Sequence, residues 1–205
     1  MPAPFLIAIV GGSASGKTTL ARALAATLNE AAVLLAEDDY YRCSSTVPDF
    51  DPEEYNFDEP VAKDHALLAA QLAALKRGEP LHRPDYCLIT HTRKPTPVPV
   101  PARPIVIVEG LHLLVDQTLR AQFDLSVFVD CPADVRLARR VARDVTERGR
   151  ETLSVLGQYL ANVRPMYDRH VAPQAQLADL VVDGEGERAH TLKAILAGLP
   201  EHQRE

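Results

Sequence analysis

The sequence predicts an α/β domain built on a doubly wound parallel sheet, and three observations predict this fold class. Runs of consecutive apolar, β-branched residues recur along the chain, as is typical of strands buried on both faces of a parallel sheet. Segments with apolar residues at helical spacing alternate with these runs, so the elements follow one another in βα order. The length of 205 residues and the hydrophobic content of 46% suit one domain, residues 1–205, with a buried core.

The same patterns assign each element in turn. The runs that predict strands are FLIAIV (5–10), AAVLLAE (31–37), PIVIVEG (104–110), LSVFVD (125–130) and ADLVVDG (178–184). Helical spacing predicts helices over 18–28, 64–78, 132–149, 152–171 and a short stretch after the last strand, with a loop over 38–60. Asp64 and Pro132 suit the first turns of their helices. Gly78 and Gly149 suit the ends, and Pro165 is expected to kink or end the fourth helix.

Charge and cysteine usage exclude several classes of protein. The formal net charge of −6 argues against a protein that coats nucleic acid or lies on a membrane surface, because both carry a basic excess. The apolar run near the amino terminus is too short to span a bilayer and lacks the basic residues of a signal peptide, so the predicted location is the cytoplasm. Cys43, Cys87 and Cys131 have no metal-binding spacing and are odd in number, so free thiols are expected.

A glycine-rich segment, GGSASGKTT, carries G-x-x-x-x-G-K-T directly between the first predicted strand and a helix. Glycines let successive backbone N–H groups point at phosphate oxygens, and the helix amino terminus adds its dipole. The Lys17 ammonium would contact the β- and γ-phosphates, and the Thr18 hydroxyl can ligate Mg²⁺. The pattern predicts a nucleoside triphosphate site of the P-loop NTPase type, formed by Gly11, Gly12, Ser13, Ala14, Ser15, Gly16, Lys17, Thr18 and Thr19.

Acidic residues follow two of the predicted strands. Glu109 ends the third strand, where it could hold Mg²⁺ directly or through water, although an acid at a strand end can simply be solvated. Phosphoryl transfer to a hydroxyl needs a carboxylate that accepts the proton, and Asp38, the first acid of EDDYYR, is the candidate. The alternative is that Asp38, Asp39 and Asp58 only make turns. A GTPase switch is not expected, because no N-K-x-D guanine reader is present.

Arginines cluster in the predicted helix that ends at residue 149. Arg136, Arg140 and Arg143 recur at i, i+4 and i+7, and ERGR adds Arg148 and Arg150. Such clustering in an acidic protein favours a polyanionic ligand, because the guanidinium group makes planar, bidentate contacts with phosphate. The alternative is a solvated face stabilised by pairs at i, i+4, so only two or three of these arginines are expected to contact phosphate.

The order and spacing of these motifs resemble the uridine (uridine–cytidine) kinases over residues 5 to 184. The phosphate loop is shared with many proteins, whereas NFDEP, Y-x-x-x-x-H-T-R and RRxxRDxxxRGR are far more specific. The resemblance implies a kinase that uses ATP or GTP with Mg²⁺ to phosphorylate uridine, cytidine or both at the 5′-hydroxyl. It also implies a small-molecule nucleoside as partner, pyrimidine salvage with end-product feedback, and a homotetramer.

The resemblance also implies roles for individual residues. Asp38 would be the base, with Lys17 and the lid arginines Arg143 and Arg148 as further catalytic groups. The lid, about residues 134–152, would also bring Arg150 to the nucleotide. The residues implied in nucleoside binding are Asp38, Tyr41, Phe57, Asp58, Tyr86, His91, Arg140 and Gln158. Within this set, Asp58 and Arg140 would hold the ribose hydroxyls, and Tyr86 and His91 would face the pyrimidine.

The proline-rich segment 83–101 acquires an explanation from the resemblance. PLHRPDYCLITHTRK and PTPVPV would be the short strands of a β-hairpin insertion, about residues 80–103, that forms one wall of the nucleoside pocket. Prolines suit an edge strand because they lack the donor that would pair with another molecule. Cys87, Leu88 and Asp39 depart from the family, which usually has Asp, an aromatic residue and a small residue there.

The sequence is also compatible with two other functions. A sugar-phosphate kinase of the phosphoribulokinase type shares the loop, the acids and the lid, but it would need basic residues near the acidic NFDEP. A nucleotide-binding regulatory module without catalysis would not need a base such as Asp38. The sequence ranks neither uridine against cytidine nor ATP against GTP.

Overall fold

The computed structural model describes residues 3–52 and 54–201. The strands are β1 (Phe5–Gly11), β2 (Ala32–Ala36), β3 (Leu81–Arg83), β4 (Tyr86–Cys87), β5 (Thr92–Arg93), β6 (Val98–Val100), β7 (Ile105–Gly110), β8 (Leu125–Asp130) and β9 (Leu180–Asp183). The α-helices are α1 (Lys17–Leu28), α2 (His65–Lys76), α3 (Gln117–Arg120), α4 (Ala133–Thr146), α5 (Thr152–Gln158), α6 (Arg164–Met166) and α7 (Arg188–Ala197). All the predicted strands and helices are present, and α3 was not predicted.

The central sheet has five parallel strands in the order β2-β7-β1-β8-β9. Alternate side chains of β1 enter different cores, as a strand buried on both faces requires. Leu6, Ala8 and Val10 pack in the core that contains the buried leucines of α2. Ile7 and Ile9 pack in the core formed with α1 and α7. The predicted fold class, an α/β doubly wound sheet, is confirmed.

The β-hairpin insertion differs from the prediction in where its chain turns. The outer ladder pairs β3 with β6, and an inner ladder pairs β4 with β5, both antiparallel. The chain therefore reverses at residues 88–91, inside the segment predicted to be a single strand. His91 closes the turn with a positive φ of 54°, and its N–H donates to the Cys87 carbonyl at 2.9 Å. The turn places Leu88, Ile89 and His91 at the exposed tip of the hairpin rather than on a strand face.

The helical segment after α4 does not end at Pro165. It continues from α5 through α6 with two π-helical turns, Tyr159–Val163 and Tyr167–Val171. A π-helical turn bonds i to i+5 and shifts the ladder, so the missing proline N–H is accommodated without ending the helix. No helix within the described ranges is long and apolar enough to cross a membrane.

Candidate active site

The loop between β1 and α1 has a tightly constrained backbone. Gly16 has a φ of 99°, and Ala14 adopts a φ of 63°, both in the left-handed region. A Cβ atom on Gly11 would lie 2.7 Å from the Ser15 hydroxyl and 2.8 Å from the Val129 carbonyl, so no side chain fits there. Gly12 is backed by the Arg136 guanidinium, which stacks 3.6 Å from the centre of the Tyr167 ring. This packing fixes the loop around the amino terminus of α1, as an anion cradle requires.

The groups expected to hold Mg²⁺ lie together at the end of this loop. The Thr18 hydroxyl donates to the Glu109 carboxylate with an Oγ1–Oε1 distance of 3.0 Å. Burial raises the pKa of Glu109, against the opposing charge of Lys17. The Lys17 ammonium contacts the Gly12 carbonyl at 3.4 Å. Hydroxyl and carboxylate oxygens suit a hard cation such as Mg²⁺, so these residues fit the metal.

A cleft of about 1230 Å³ brings most of the predicted site residues together. Its wall includes Ser13, Ala14, Ser15, Gly16, Lys17, Thr18, Thr19, Asp38, Tyr41, Phe57, Asp58, His91, Glu109, Arg140, Arg143, Arg148, Arg150 and Gln158. Gly11, Gly12 and Tyr86 do not line it. Gly11 is the last residue of β1, and Gly12 follows it. Tyr86 packs against Tyr41, with 5.2 Å between the ring centres.

The two neighbouring aspartates after β2 have different surroundings. Asp38 lines the cleft with 55% of its side chain exposed, and its Oδ1 lies 2.8 Å from the Lys63 ammonium. Asp39 instead pairs with Arg83 of β3, with 2.6 Å between Oδ2 and Nη1. The Asp38 carboxylate is partly desolvated, which favours its neutral form, yet Lys63 and then Lys17 hold its pKa below the ordinary value. Burial raises the pKa of Asp39 against the attraction of Arg83. The carboxylate that reaches the cleft is therefore Asp38.

Beneath Asp38 lies a buried polar network that the sequence did not reveal. Lys63 bridges the carboxylates of Asp38 and Glu37, each at 2.8 Å. Glu37 also accepts from the Leu111 N–H at 2.7 Å and lies 2.8 Å from the His65 Nε2 atom. Its oxygens are thus occupied by protein donors. Burial lowers the pKa of the neighbouring His112 to about 3, so this imidazole is neutral near pH 7.

Aromatic side chains form the end of the cleft beside the hairpin tip. The rings of Tyr41 and Phe57 meet edge to face with 5.8 Å between their centres. His91 stacks on Phe57 at 4.6 Å, and its Nδ1 atom lies 3.5 Å from the Tyr86 hydroxyl. Burial lowers the pKa of His91, so the ring is neutral near pH 7. Leu88 and Ile89 from the hairpin tip also line the cleft.

Between the aromatic end and the phosphate loop stand Asp58, Arg140 and Gln158. The Arg140 guanidinium donates to the Ser13 hydroxyl and to the Gln158 amide oxygen, both at 2.9 Å. Burial raises the pKa of Asp58, against the attraction of Arg140 and of Lys63. A carboxylate and a guanidinium at this point offer an acceptor and donors for a polyhydroxylated ligand.

The arginines of the predicted lid share one buried anion. The Asp144 carboxylate is fully buried, and four arginines lie within 4 Å of it: Arg140 at 3.7 Å, Arg143 at 2.8 Å, Arg148 at 3.3 Å and Arg150 at 3.6 Å. The i, i+4 pair Arg140–Asp144 is therefore part of a cluster around a buried anion rather than of a solvated face. Arg136, by contrast, is buried and donates to the Cys131 carbonyl at 2.9 Å, away from the cleft.

Three residues of the site were missed from the sequence. Asp144 figured only in the alternative of a solvated helix face, and only its i, i+4 spacing from Arg140 and Arg148 could have signalled the cluster. Glu37 looked like the end of an apolar strand. Lys63 stands in a loop with no periodic pattern, so nothing local could have indicated its contact with Asp38, 25 residues away.

Comparison with known proteins identifies the family. The model described as Phosphoribulokinase / Uridine kinase family matches residues 6–190. A uridine kinase of Brevibacillus brevis is 39% identical over 184 residues, which cover 89% of this chain and 86% of that protein. A uridine kinase of Geobacillus kaustophilus is 37% identical over 195 residues, which cover 95% and 92%. The structure of phosphoribulokinase from Rhodobacter spheroides aligns with a TM-score of 0.62 at 16% identity. The alignment covers 91% of this chain and 74% of that one, and at this identity it shows the fold alone. The resemblance predicted from the motifs is confirmed, and the chain belongs to the phosphoribulokinase / uridine kinase family.

Proposed function

We propose that the protein transfers the γ-phosphoryl group of ATP or GTP to the 5′-hydroxyl of uridine and cytidine. One observation carries the proposal: the Asp38 carboxylate shares a cleft with the phosphate loop on one side and with the aromatic cluster on the other. A base between a triphosphate cradle and an aromatic pocket suits a planar acceptor that bears a hydroxyl. The uridine kinases that cover most of the chain support the same acceptor.

The reaction would depend on positioning and on electrostatics. Asp38 would accept the hydroxyl proton as the oxygen attacks phosphorus. Lys17 would stabilise the charge that develops on the phosphoryl oxygens. Thr18 and Glu109 would hold Mg²⁺, which would supply positive charge against the phosphates. The metal, the donor nucleotide and each residue role are parts of the proposal.

Other residues along the cleft would bind the phosphates, the ribose and the pyrimidine. Arg143, Arg148 and Arg150 would close over the phosphates from the lid. Asp58, Arg140 and Gln158 would hold the ribose hydroxyls. Tyr41, Phe57 and His91 would enclose the pyrimidine, and Tyr86 would support the rings of Tyr41 and His91. That last role differs from the expected direct contact, because Tyr86 does not line the cleft and packs against Tyr41.

An acceptor panel tests the function. Purified protein with MgATP is assayed against uridine, cytidine, ribulose 5-phosphate and a buffer blank, and the phosphorylated product is identified by mass spectrometry. We expect uridine and cytidine monophosphates, with no activity in EDTA. Preferential phosphorylation of ribulose 5-phosphate would favour the sugar-phosphate kinase. ATP binding with no acceptor phosphorylated would favour the regulatory module.

His91→Ala is expected to lower kcat/KM for both nucleosides by about 5- to 150-fold, the cost of one hydrogen bond to a buried base edge. A neutral imidazole offers one donor and one acceptor, so it can face either the carbonyl of uracil or the amine of cytosine. The Tyr86 hydroxyl beside Nδ1 can donate or accept, and so it can accommodate both tautomers. Steady-state kinetics with each nucleoside would measure the loss.

The positive φ of His91 calls for a matched control. Alanine is strained at a φ of 54°, whereas glycine adopts it freely. His91→Gly should therefore show a similar loss if the imidazole reads the base. Full activity in the glycine variant would assign the effect to backbone strain, and an equal loss of ATP affinity would indicate misfolding.

Two further expectations stay predictions: the homotetramer that the resemblance implies, and the cytoplasmic location expected from the amino-terminal residues. The homotetramer can be checked by size-exclusion chromatography with light scattering, and the cytoplasmic location by fractionation.

A further inference from the structure

Lys63 is a buried cation at the floor of the active-site cleft. Its side chain is fully buried, and its ammonium lies 2.8 Å from Glu37 Oε2 and 2.8 Å from Asp38 Oδ1. The ammonium also lies 4.7 Å from the centre of the Tyr41 ring. It does not line the cleft, so it would reach a substrate only through Asp38.

The backbone holds Lys63 in this position from two sides. Its N–H donates to the Pro60 carbonyl at 3.1 Å, and an isolated β-bridge pairs it with Tyr41. The next residue, Asp64, caps α2 by accepting from the Leu67 N–H at 3.1 Å. These contacts fix the backbone of Lys63 just before α2, and the side chain extends from there to Asp38.

Burying an ammonium ion is costly unless it is paired. Glu37 alone would neutralise Lys63, and its carboxylate also receives the Leu111 and His112 N–H groups. Yet the ammonium contacts Asp38 at the same distance as Glu37. Lys63 thus joins a fully buried anion to one that reaches the cleft.

We propose that Lys63 is a positioning residue that fixes the Asp38 carboxylate for proton acceptance, with Glu37 as the anion that makes its burial tolerable. The inference rests on the proposed role of Asp38 as base. With Oδ1 engaged by Lys63, Oδ2 remains to receive the hydroxyl proton. Because the ammonium stabilises the anion, the carboxylate also stays deprotonated to lower pH.

Several other charges act on Asp38. Lys17 on the phosphate loop lowers its pKa, and Glu37 raises it. Asp39, Asp58 and Glu109 are further anions coupled to Asp38. Lys63 lowers the pKa of this carboxylate more than Lys17 does, so loss of Lys63 should raise that pKa.

Three variants test whether Lys63 positions Asp38 or only neutralises the buried charge of Glu37. Glu37→Gln keeps Lys63 on Asp38. Lys63→Met removes the ammonium and leaves the buried Glu37 carboxylate without it, which is expected to lower the stability of the fold. The double variant, Glu37→Gln with Lys63→Met, removes both charges and keeps the buried region neutral. Lys76→Met is the matched control, since Lys76 pairs with Asp124 on a solvent-accessible surface.

We expect kcat of the double variant to fall about 10- to 100-fold, as misplacement of a reacting group costs. The KM for nucleoside should change little, and the acid limb of the kcat/KM–pH profile should move to higher pH. Lys76→Met should keep kcat within a few-fold and leave the limb in place, and Glu37→Gln, in which Lys63 still contacts Asp38, is the reference for the double variant. A double variant with the kcat and acid limb of Glu37→Gln would overturn the proposal, because Lys63 would then only neutralise Glu37.

A measurement without substrate distinguishes this inference from the proposed function. The Asp38 carboxyl is titrated by ¹³C NMR in the nucleotide-free protein, in Glu37→Gln and in the double variant. The titration midpoint should be higher in the double variant than in Glu37→Gln, whatever the enzyme phosphorylates. Equal midpoints would overturn the inference, whereas a higher midpoint in a protein that phosphorylates no nucleoside would reject the function alone.

Discussion

Asp38→Asn is expected to lower kcat for nucleoside phosphorylation by about 10²- to 10⁴-fold, with little change in nucleoside KM. Asparagine keeps the shape of the side chain but cannot accept the hydroxyl proton. The amide oxygen can still accept from Lys63, which lies 2.8 Å from Oδ1, so the floor of the cleft should keep its packing. Steady-state kinetics with uridine, together with a thermal melt, would measure the effect.

Asp39→Asn is the matched control for this variant. Asp39 faces Arg83 of β3 and does not line the cleft, so its loss should weaken the anchoring of the hairpin and leave kcat much less affected. Both side chains of that ion pair are partly exposed, and such pairs contribute about 0–1 kcal/mol. A larger fall in kcat for Asp39→Asn than for Asp38→Asn would show that the base is the other carboxylate.

Lys17→Ala is expected to lower kcat by about 10²- to 10³-fold, the usual cost of one donor to a developing charge. The Lys17 ammonium makes a long contact with the Gly12 carbonyl, at 3.4 Å, so its removal should leave the loop intact. Turnover with MgATP and the melting temperature are measured together. Lys193→Ala on α7, an exposed lysine, is the control for loss of positive charge.

An unchanged melting temperature with a large loss of turnover would support the role of Lys17. Full activity in Lys17→Ala would contradict the kinase mechanism itself. A melting temperature that falls together with turnover would indicate that the loop conformation, rather than phosphate contact, depends on this residue.

Local patterns explain why the sheet and the phosphate loop could be predicted. A strand buried on both faces has to be apolar at every position, and β1 is. The phosphate loop is a contiguous motif, and Glu109 follows from the rule that ligands gather at the carboxyl ends of parallel strands. The contact between Thr18 and Glu109 then needs only adjacency of β1 and β7.

The rest of the site depends on contacts that no local pattern encodes. Lys63 meets Asp38 because a loop and a strand end converge, and Tyr86 packs against Tyr41 without lining the cleft. The hairpin turn was missed because residues 86–93 read as a continuous extended run. Pro165 was expected to kink or end its helix, and the continuation through π-helical turns was missed because such turns leave no sequence signature of their own.

The anion shared by the lid arginines also has an evolutionary consequence. Four guanidinium groups, those of Arg140, Arg143, Arg148 and Arg150, have Asp144 as a common neighbour. A substitution at any one of them alters the field felt by the other three, so their effects cannot be additive. We therefore expect epistasis among these positions: whether a replacement at one is tolerated should depend on the residues at the other three.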